Sequence, residues 1–302
     1  MSLNDAGTAA AASGIDLLIF GCGYSGKAIG ERMADAGSNV TGTTRSRDGF
    51  GALQVRGIKP LVFDGETPNE DVERAVLEAT HIVVSIAPGE AGDPVVALYA
   101  EAIKHAPKLE WIGYLSTVGV YGNHDGKWVD EETVPMPVSE RSRQRVEAEN
   151  LWITIAREKN VPISIIRLSG IYGPGRNAFV SLKEGRARRL VKPGQVFNRI
   201  HVADIAGATD LLARQRHNGI INVTDDEPAP PQNVVAHAAE LLGVEPPPET
   251  DFEMADLTPM ARSFYGENKR VSNARLKSLG YHMRNPSFRE GLASLREDTT
   301  AS

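Results

Sequence analysis

Three glycines, Gly21, Gly23 and Gly26, stand inside the stretch IFGCGYSG. Their spacing, G-x-G-x-x-G, is one that lets a phosphate approach a backbone with no side chain in the way. In a chain with 29 glycines the spacing alone says little. Its setting says more: an apolar run, IDLLIF (15–20), precedes it, and a helix-forming stretch, YSGKAIGERMADAG (24–37), follows. There, Gly21 permits a tight turn, Gly23 admits a pyrophosphate, and Gly26 lets the helix pack close to the strand. The amides of Tyr24, Ser25 and Gly26 then open a helix whose N-terminal partial charge favours an anion. The chemistry indicated is dinucleotide binding.

The next strand bears on which dinucleotide. An NAD site usually carries an acidic residue there, accepting from the ribose 2′-hydroxyl. This chain has TTRSRD, with Arg45 and Arg47. Guanidinium groups match phosphate geometry, whereas a carboxylate would repel a 2′-phosphate. NADP is therefore the expected cofactor, and NAD the less favoured one, since Asp48 lies close by. Asp64, ending the third strand, is either a partner for the adenine amino group or a capping residue. Ala87, at the end of the fourth strand, completes the cofactor-facing set.

These residues need a frame. NVTGTT (39–44), KPLVFD (59–64), HIVVSIA (81–87), EWIGYLST (110–117) and PISIIRLS (162–169) read as further strands. Helices are expected at 68–79, 93–106 and 138–159. Strands alternating with helices imply parallel pairing through right-handed crossovers. The expected class is α/β, a doubly wound parallel sheet over 15–170, after a floppy tail at 1–14. From 171 to 302 the pattern loosens into a smaller α+β lobe, some of whose segments return to the first domain. It has helical pieces at 231–242, 273–279 and 287–297, and EPPPET (245–250) as an extended connection.

Composition narrows the class. A hydrophobic content of 41%, a charged content of 24% and a net charge of −6 describe an ordinary globular chain with no general affinity for nucleic acid. The single cysteine, Cys22, precludes an intrachain disulfide. Nothing in the first residues has the basic start and apolar core of a signal peptide, and no apolar run approaches the ~20 residues that span a bilayer. A cytoplasmic location is expected. No Cys/His cluster suggests a metal site.

LSTVGVYG (115–122), IIRLSGIYGPGRN (165–177), RIHVADIAGA (199–208) and INVTDDEP (221–228), in this order behind the glycine turn, resemble the extended short-chain dehydrogenase/reductase family. That family includes the NAD-dependent epimerases and dehydratases of nucleotide sugars. The resemblance spans roughly 15–297 and implies a Rossmann-type cofactor domain with a C-terminal substrate lobe. It also implies a Ser/Thr after the fifth strand, matched by Thr117 with Ser116 beside it, and a Tyr-x-x-x-Lys pair on the following helix.

That pair is missing. In the register set by RVEAE (145–149), Arg145 stands at the lysine position and Arg141 at the tyrosine position. No tyrosine occurs between Tyr121 and Tyr172. Arg145 can supply the charge and donors that hold the nicotinamide ribose. Arg141 cannot exchange a proton near neutrality, because its pKa exceeds ~12, although on the same helix face it would suit an anionic substrate. Tyr121 and His124 are alternative proton donors, with Lys127 in the same loop. Arg167, Tyr172 and Arg176 surround the crossover into the substrate lobe and are candidate substrate contacts. His201 reads as structural.

Two functions follow from this. One is an atypical NADP-dependent oxidoreductase or epimerase-like enzyme acting on a small polar or sugar-nucleotide-like substrate. The other is a dinucleotide-binding redox sensor or scaffold without turnover. A homodimer is a further expectation of the resemblance.

Overall fold

Strand β1 (Asp16–Phe20) is buried along nearly its whole length and runs into the glycine turn that opens helix α1 (Tyr24–Asp35). This computed structural model describes residues 14–300; the expected tail therefore lies, but for Gly14, outside the described residues. Four further β–α alternations follow. They are β2 (Asn39–Thr44), α2 (Phe50–Gln54), β3 (Ile58–Val62), α3 (Glu70–Glu78), β4 (His81–Val84), α4 (Pro94–His105), β5 (Trp111–Thr117), a short β6 (Trp128–Val129) and α5 (Glu140–Lys159). Beyond these come β7 (Ile163–Leu168), β8 (Gly170–Tyr172), α6 (Ala178–Lys183), β9 (Arg189–Val191), β10 (Arg199–His201), α7 (Val202–Gln215) and β11 (Gly219–Val223). The chain closes with α8 (Pro231–Leu242), β12 (Glu249–Asp251), α9 (Pro259–Phe264), β13 (Arg270–Val271), α10 (Ala274–Ser278) and α11 (Phe288–Thr300).

Seven strands form one sheet in the order β11-β7-β5-β4-β1-β2-β3, every neighbouring pair parallel. A parallel sheet needs both faces covered, which is why β4 and β7 are buried at every residue. On one face Ile29 and Met33 of α1 pack with Leu53 of α2 and Leu212 of α7. On the other, Val76 of α3, Tyr99 of α4 and Trp152 of α5 cover Phe20, Ile82 and Tyr114. This is the α/β Rossmann-type doubly wound sheet. The strand order reverses between β1 and β4, so a crevice opens beyond their carboxyl ends.

The smaller lobe has its own core, in which Phe179 of α6, Ala238 of α8, and Phe288 and Leu292 of α11 surround Tyr172. Three short parallel pairs, β10–β8, β12–β9 and β13–β6, tie its loops together. β11 belongs to the large sheet, and α7 packs on the large domain, where Arg32 of α1 pairs with Asp210 at 3.1 Å.

Candidate functional site

The glycine turn has the shape its spacing suggests. Gly21 adopts φ +87°, a left-handed conformation costly for other residues, and a Cβ there would stand 2.6 Å from the Ile86 side chain. A Cβ on Gly26 would overlap the Gly21 carbonyl oxygen, so the helix meets the strand only because no side chain intervenes. Gly23 differs: a Cβ there would meet nothing within 4 Å. That open space lies at the start of α1, which has no side-chain cap and no acidic residue in its first turn. The N–H groups there suit a pyrophosphate.

Thr43 anchors the turn, accepting from the Gly21 amide through Oγ1 at 2.8 Å and from the Cys22 amide through its carbonyl at 2.8 Å. Burial raises the Cys22 thiol to about 12, so it packs as a small inert group.

Past the tip of β2, Arg45 and Arg47 are exposed, and neither has an ion-pair partner among the described residues. Asp48 accepts instead from the Ser46 hydroxyl at 3.1 Å. Asp64 uses Oδ1 to accept the amides of Glu66 and Thr67, at 2.8 and 2.9 Å, which hold its carboxyl below the usual range. The capping alternative for Asp64 thus has visible partners. Ala87 is exposed just past β4.

The far side of the crevice is built by the end of β5 and the first turns of α5. Arg145 reaches inward, and its Nη1 donates to the Leu115 carbonyl at 2.6 Å. Arg141, one turn nearer the open end of the strands, is exposed. Thr117 is half-buried, its Oγ1 accepting from the Gly119 amide at 3.1 Å.

Several expected contacts are placed elsewhere. Ser116 is buried and donates to Glu149 Oε1 at 2.5 Å. Arg167 is 2% exposed and forms a two-pronged pair with Glu149, Nε to Oε1 at 3.1 Å and Nη2 to Oε2 at 2.7 Å. Its guanidinium also lies 4.8 Å from the Tyr121 ring centre. Both side chains are turned into the interior because a buried carboxylate on α5 needs donors, and they provide them.

Tyr121 is fully buried and donates to Asn222 Oδ1 at 2.8 Å; burial raises its phenol further from neutrality. It cannot deliver a proton to a ligand in the crevice. His124 holds the Tyr121 carbonyl at 3.0 Å through Nε2, which makes it a loop fastener. Lys127 is exposed. Tyr172 sits in the core of the smaller lobe, donating to the Ser287 carbonyl at 3.3 Å, and so packs the lobe instead of facing the crevice. His201 caps α7, Nδ1 accepting from the Ala203 amide at 3.2 Å.

Arg176 is exposed, its guanidinium 5.9 Å from the ring centre of Tyr24. The Tyr24 hydroxyl donates to the Pro174 carbonyl at 2.9 Å, linking the glycine turn to the smaller lobe at the mouth of the crevice. A separate cleft of about 560 Å³, lined by Asp16, Asn39, Lys59 and Glu78, lies at the opposite ends of the strands, away from all these residues.

Sequence reading missed Ser142 and the structural weight of Glu149. Glu149 served only to set the register, and a spacing cannot show that its carboxylate would be enclosed. Ser142 lies one residue beyond Arg141, and the packing of α5 turns it inward, where it is buried.

The protein is 46% identical to a functionally unknown conserved protein from Silicibacter pomeroyi DSS, whose structure superposes with a TM-score of 0.85 over 94% of this chain and 98% of that one. It is 29% identical over 246 residues to Protein YeeZ of Escherichia coli (strain K12), covering 76% of this chain and 84% of YeeZ. MoeE5, solved in complex with UDP-glucuronic acid and NAD, shares the fold at 22% identity, with a TM-score of 0.77 over 95% of this chain and 99% of MoeE5. The NAD dependent epimerase/dehydratase model matches residues 17–224, from β1 and its glycine turn to the end of β11, and the chain belongs to that family.

Proposed function

We propose that the chain is an NADP-dependent enzyme of oxidoreductase or epimerase-like type, acting on a small polar or sugar-nucleotide-like substrate. The observation that carries this reading is the open space over Gly23 at the uncapped start of α1, which fits a pyrophosphate. The choice of NADP is supported by Arg45 and Arg47, exposed at the tip of β2. When bound, the nicotinamide ring supplies hydride transfer. Arg145 holds the adjoining ribose, Thr117 orients the substrate oxygen, and Arg141 and Arg176 attract an anionic group on the substrate. Proton exchange involves water or a group outside the usual helix position, since α5 contains no tyrosine and Tyr121 is sealed.

Among the described residues no helix is long and apolar enough to cross a membrane. Cytoplasmic residence and a homodimer belong to the same proposal.

The first experiment is fluorescence titration with NADPH and NADH, followed by steady-state assays on carbonyl compounds and nucleotide sugars. The parent should bind NADPH more tightly. Replacing Arg45 and Arg47 by Ala should weaken NADPH by roughly 10- to 100-fold while leaving NADH nearly unchanged, as expected for two lost charge-assisted contacts. Equal losses for the two nucleotides would overturn the phosphate assignment. Tight NADPH binding with no turnover of any compound would favour the alternative, a sensor without catalysis.

A further inference from the structure

Tyr24 opens α1, immediately beyond Gly23 and the open space that suits a pyrophosphate. Its side chain does not stay with its own domain. The hydroxyl donates at 2.9 Å to the carbonyl of Pro174, 150 residues further along the chain. Gly173 makes that approach possible: a Cβ there would stand 2.6 Å from the Tyr24 hydroxyl oxygen and 2.7 Å from Val202 Cγ1. Tyr24 thus pins one turn of the smaller lobe to the glycine turn of the sheet domain.

The pinned turn is braced from within. Gly173 and Arg176 exchange both main-chain hydrogen bonds, at 2.9 and 3.0 Å. Asn177 donates from Nδ2 to the Gly173 carbonyl at 2.9 Å and accepts the Val180 amide at the start of α6. What this turn presents is Arg176. Its guanidinium lies over the Tyr24 ring, exposed, with no ion-pair partner among the described residues. The first turn of α1 holds no acidic residue to neutralise it. An uncompensated cation from one lobe therefore stands beside the helix start whose amides, in the other, suit the pyrophosphate.

We infer that Arg176 pairs with the cofactor pyrophosphate from the smaller lobe, with Tyr24 and Gly173 positioning it. The inference rests on the proposed function and deepens it. A guanidinium has several N–H donors in a fixed fork, so Arg176 can serve the pyrophosphate and still face an anionic group on the substrate. Arginine suits the place because its fork matches phosphate and its plane stacks on an aromatic ring. The consequence is mechanical. A bound dinucleotide ties the two lobes together at the mouth of the crevice, reinforcing the tie that Tyr24 makes. Amides of the glycine turn cannot do this alone, since all of them belong to one lobe.

The test is fluorescence titration with NADPH and NADH of the parent and of a charge series at Arg176. Arg176→Lys should weaken both nucleotides about threefold, Arg176→Ala roughly tenfold and Arg176→Glu roughly 100-fold. The two nucleotides should lose equally, because both carry the pyrophosphate. Replacing Arg45 and Arg47 should instead separate them. Tyr24→Phe keeps the ring and removes the tie to Pro174, and should weaken both nucleotides about threefold. Added to Arg176→Ala it should cost nothing further, since Tyr24 acts through Arg176. An Arg176→Ala protein that binds both nucleotides like the parent overturns the inference. So does a loss confined to NADPH, which would place Arg176 at the 2′-phosphate, and so does a loss that ignores the charge of the substituted side chain. Additive losses for Tyr24→Phe and Arg176→Ala would overturn the positioning role of Tyr24. A parent that binds neither nucleotide brings down the dinucleotide reading itself, before any variant is made.

Discussion

The turn after β1 and the face of α5 stand on opposite sides of one crevice and are built on different principles. At the turn, the groups that would meet a ligand are backbone amides, and the glycines act by lacking side chains. On α5 and β5, the acting groups are side chains whose direction depends on their neighbours. Ser116 and Arg167 turn inward to Glu149, Ser142 turns toward Gly119, and Arg141 projects outward. A site made of backbone is fixed by residue type and spacing. A site made of side chains is fixed only once packing has chosen partners.

The largest expected effect tests the side-chain half of this contrast. Glu149→Ala would leave Arg167 buried without its carboxylate, and loss of one member of a buried pair costs roughly 3–5 kcal/mol. Urea unfolding should show that loss, while Glu149→Gln, which keeps one acceptor for Arg167, should lose less. If Glu149→Ala unfolds at the parent's midpoint, the network is not what orients Ser116 and Arg167, and the contrast fails on this side.

The backbone half is sharpened by two substitutions only three positions apart. Gly23→Ala places a methyl group in open space, so folding should be little affected, yet the methyl occupies the pyrophosphate's place. Nicotinamide nucleotide affinity should fall by about 100-fold, or roughly 2.7 kcal/mol, with thermal stability almost unchanged. Gly26→Ala drives a methyl group against the Gly21 carbonyl and should lower stability and affinity together. If Gly23→Ala bound nucleotide normally, the pyrophosphate would have to sit elsewhere.

The same distinction explains what could be read from the sequence. Strands β1, β2, β4, β5 and β7 and helices α1, α4 and α5 were legible within a few residues, because buried apolar runs alternate with helix-forming stretches. Helix α7 was not. Ten of its residues are buried, among them Asp204, Thr209 and Asp210, so it shows little of the one-sided pattern that marks a surface helix. Its cap is an imidazole, and Gly207 lies mid-helix where Tyr281 leaves no space for a side chain. At the site, the glycine turn and Arg145 could be placed from spacing. The inward turn of Ser142 could not, since it depends on which face of α5 meets the β5 turn. Tyr121, in a motif that suggested chemistry, is buried against Asn222, more than a hundred residues away.

The smallest effect lies far from the crevice and extends the rule about backbone to the smaller lobe. At the start of α11, Ser287 Oγ accepts from the Arg289 amide at 3.0 Å and donates to the Glu290 carboxylate. The spacing S-x-x-E announces such a cap because its partners all lie within the first turn of one helix. Ser287→Ala should cost about 1 kcal/mol near neutral pH. Part of that depends on pH: the Ser287 hydroxyl holds the Glu290 carboxyl below its usual range, so the folded chain binds its proton less readily than the unfolded one. The stabilisation is therefore complete above the ordinary glutamate range and is lost as pH falls through the lowered folded value. Because Glu290 is largely open to solvent, this component should be only a fraction of the total. Urea midpoints for the parent and Glu290→Gln should converge on acidification from pH 7 to 3. A gap that stayed constant over that range would assign the cap's contribution to shape and main-chain bonding, with no part for the charge.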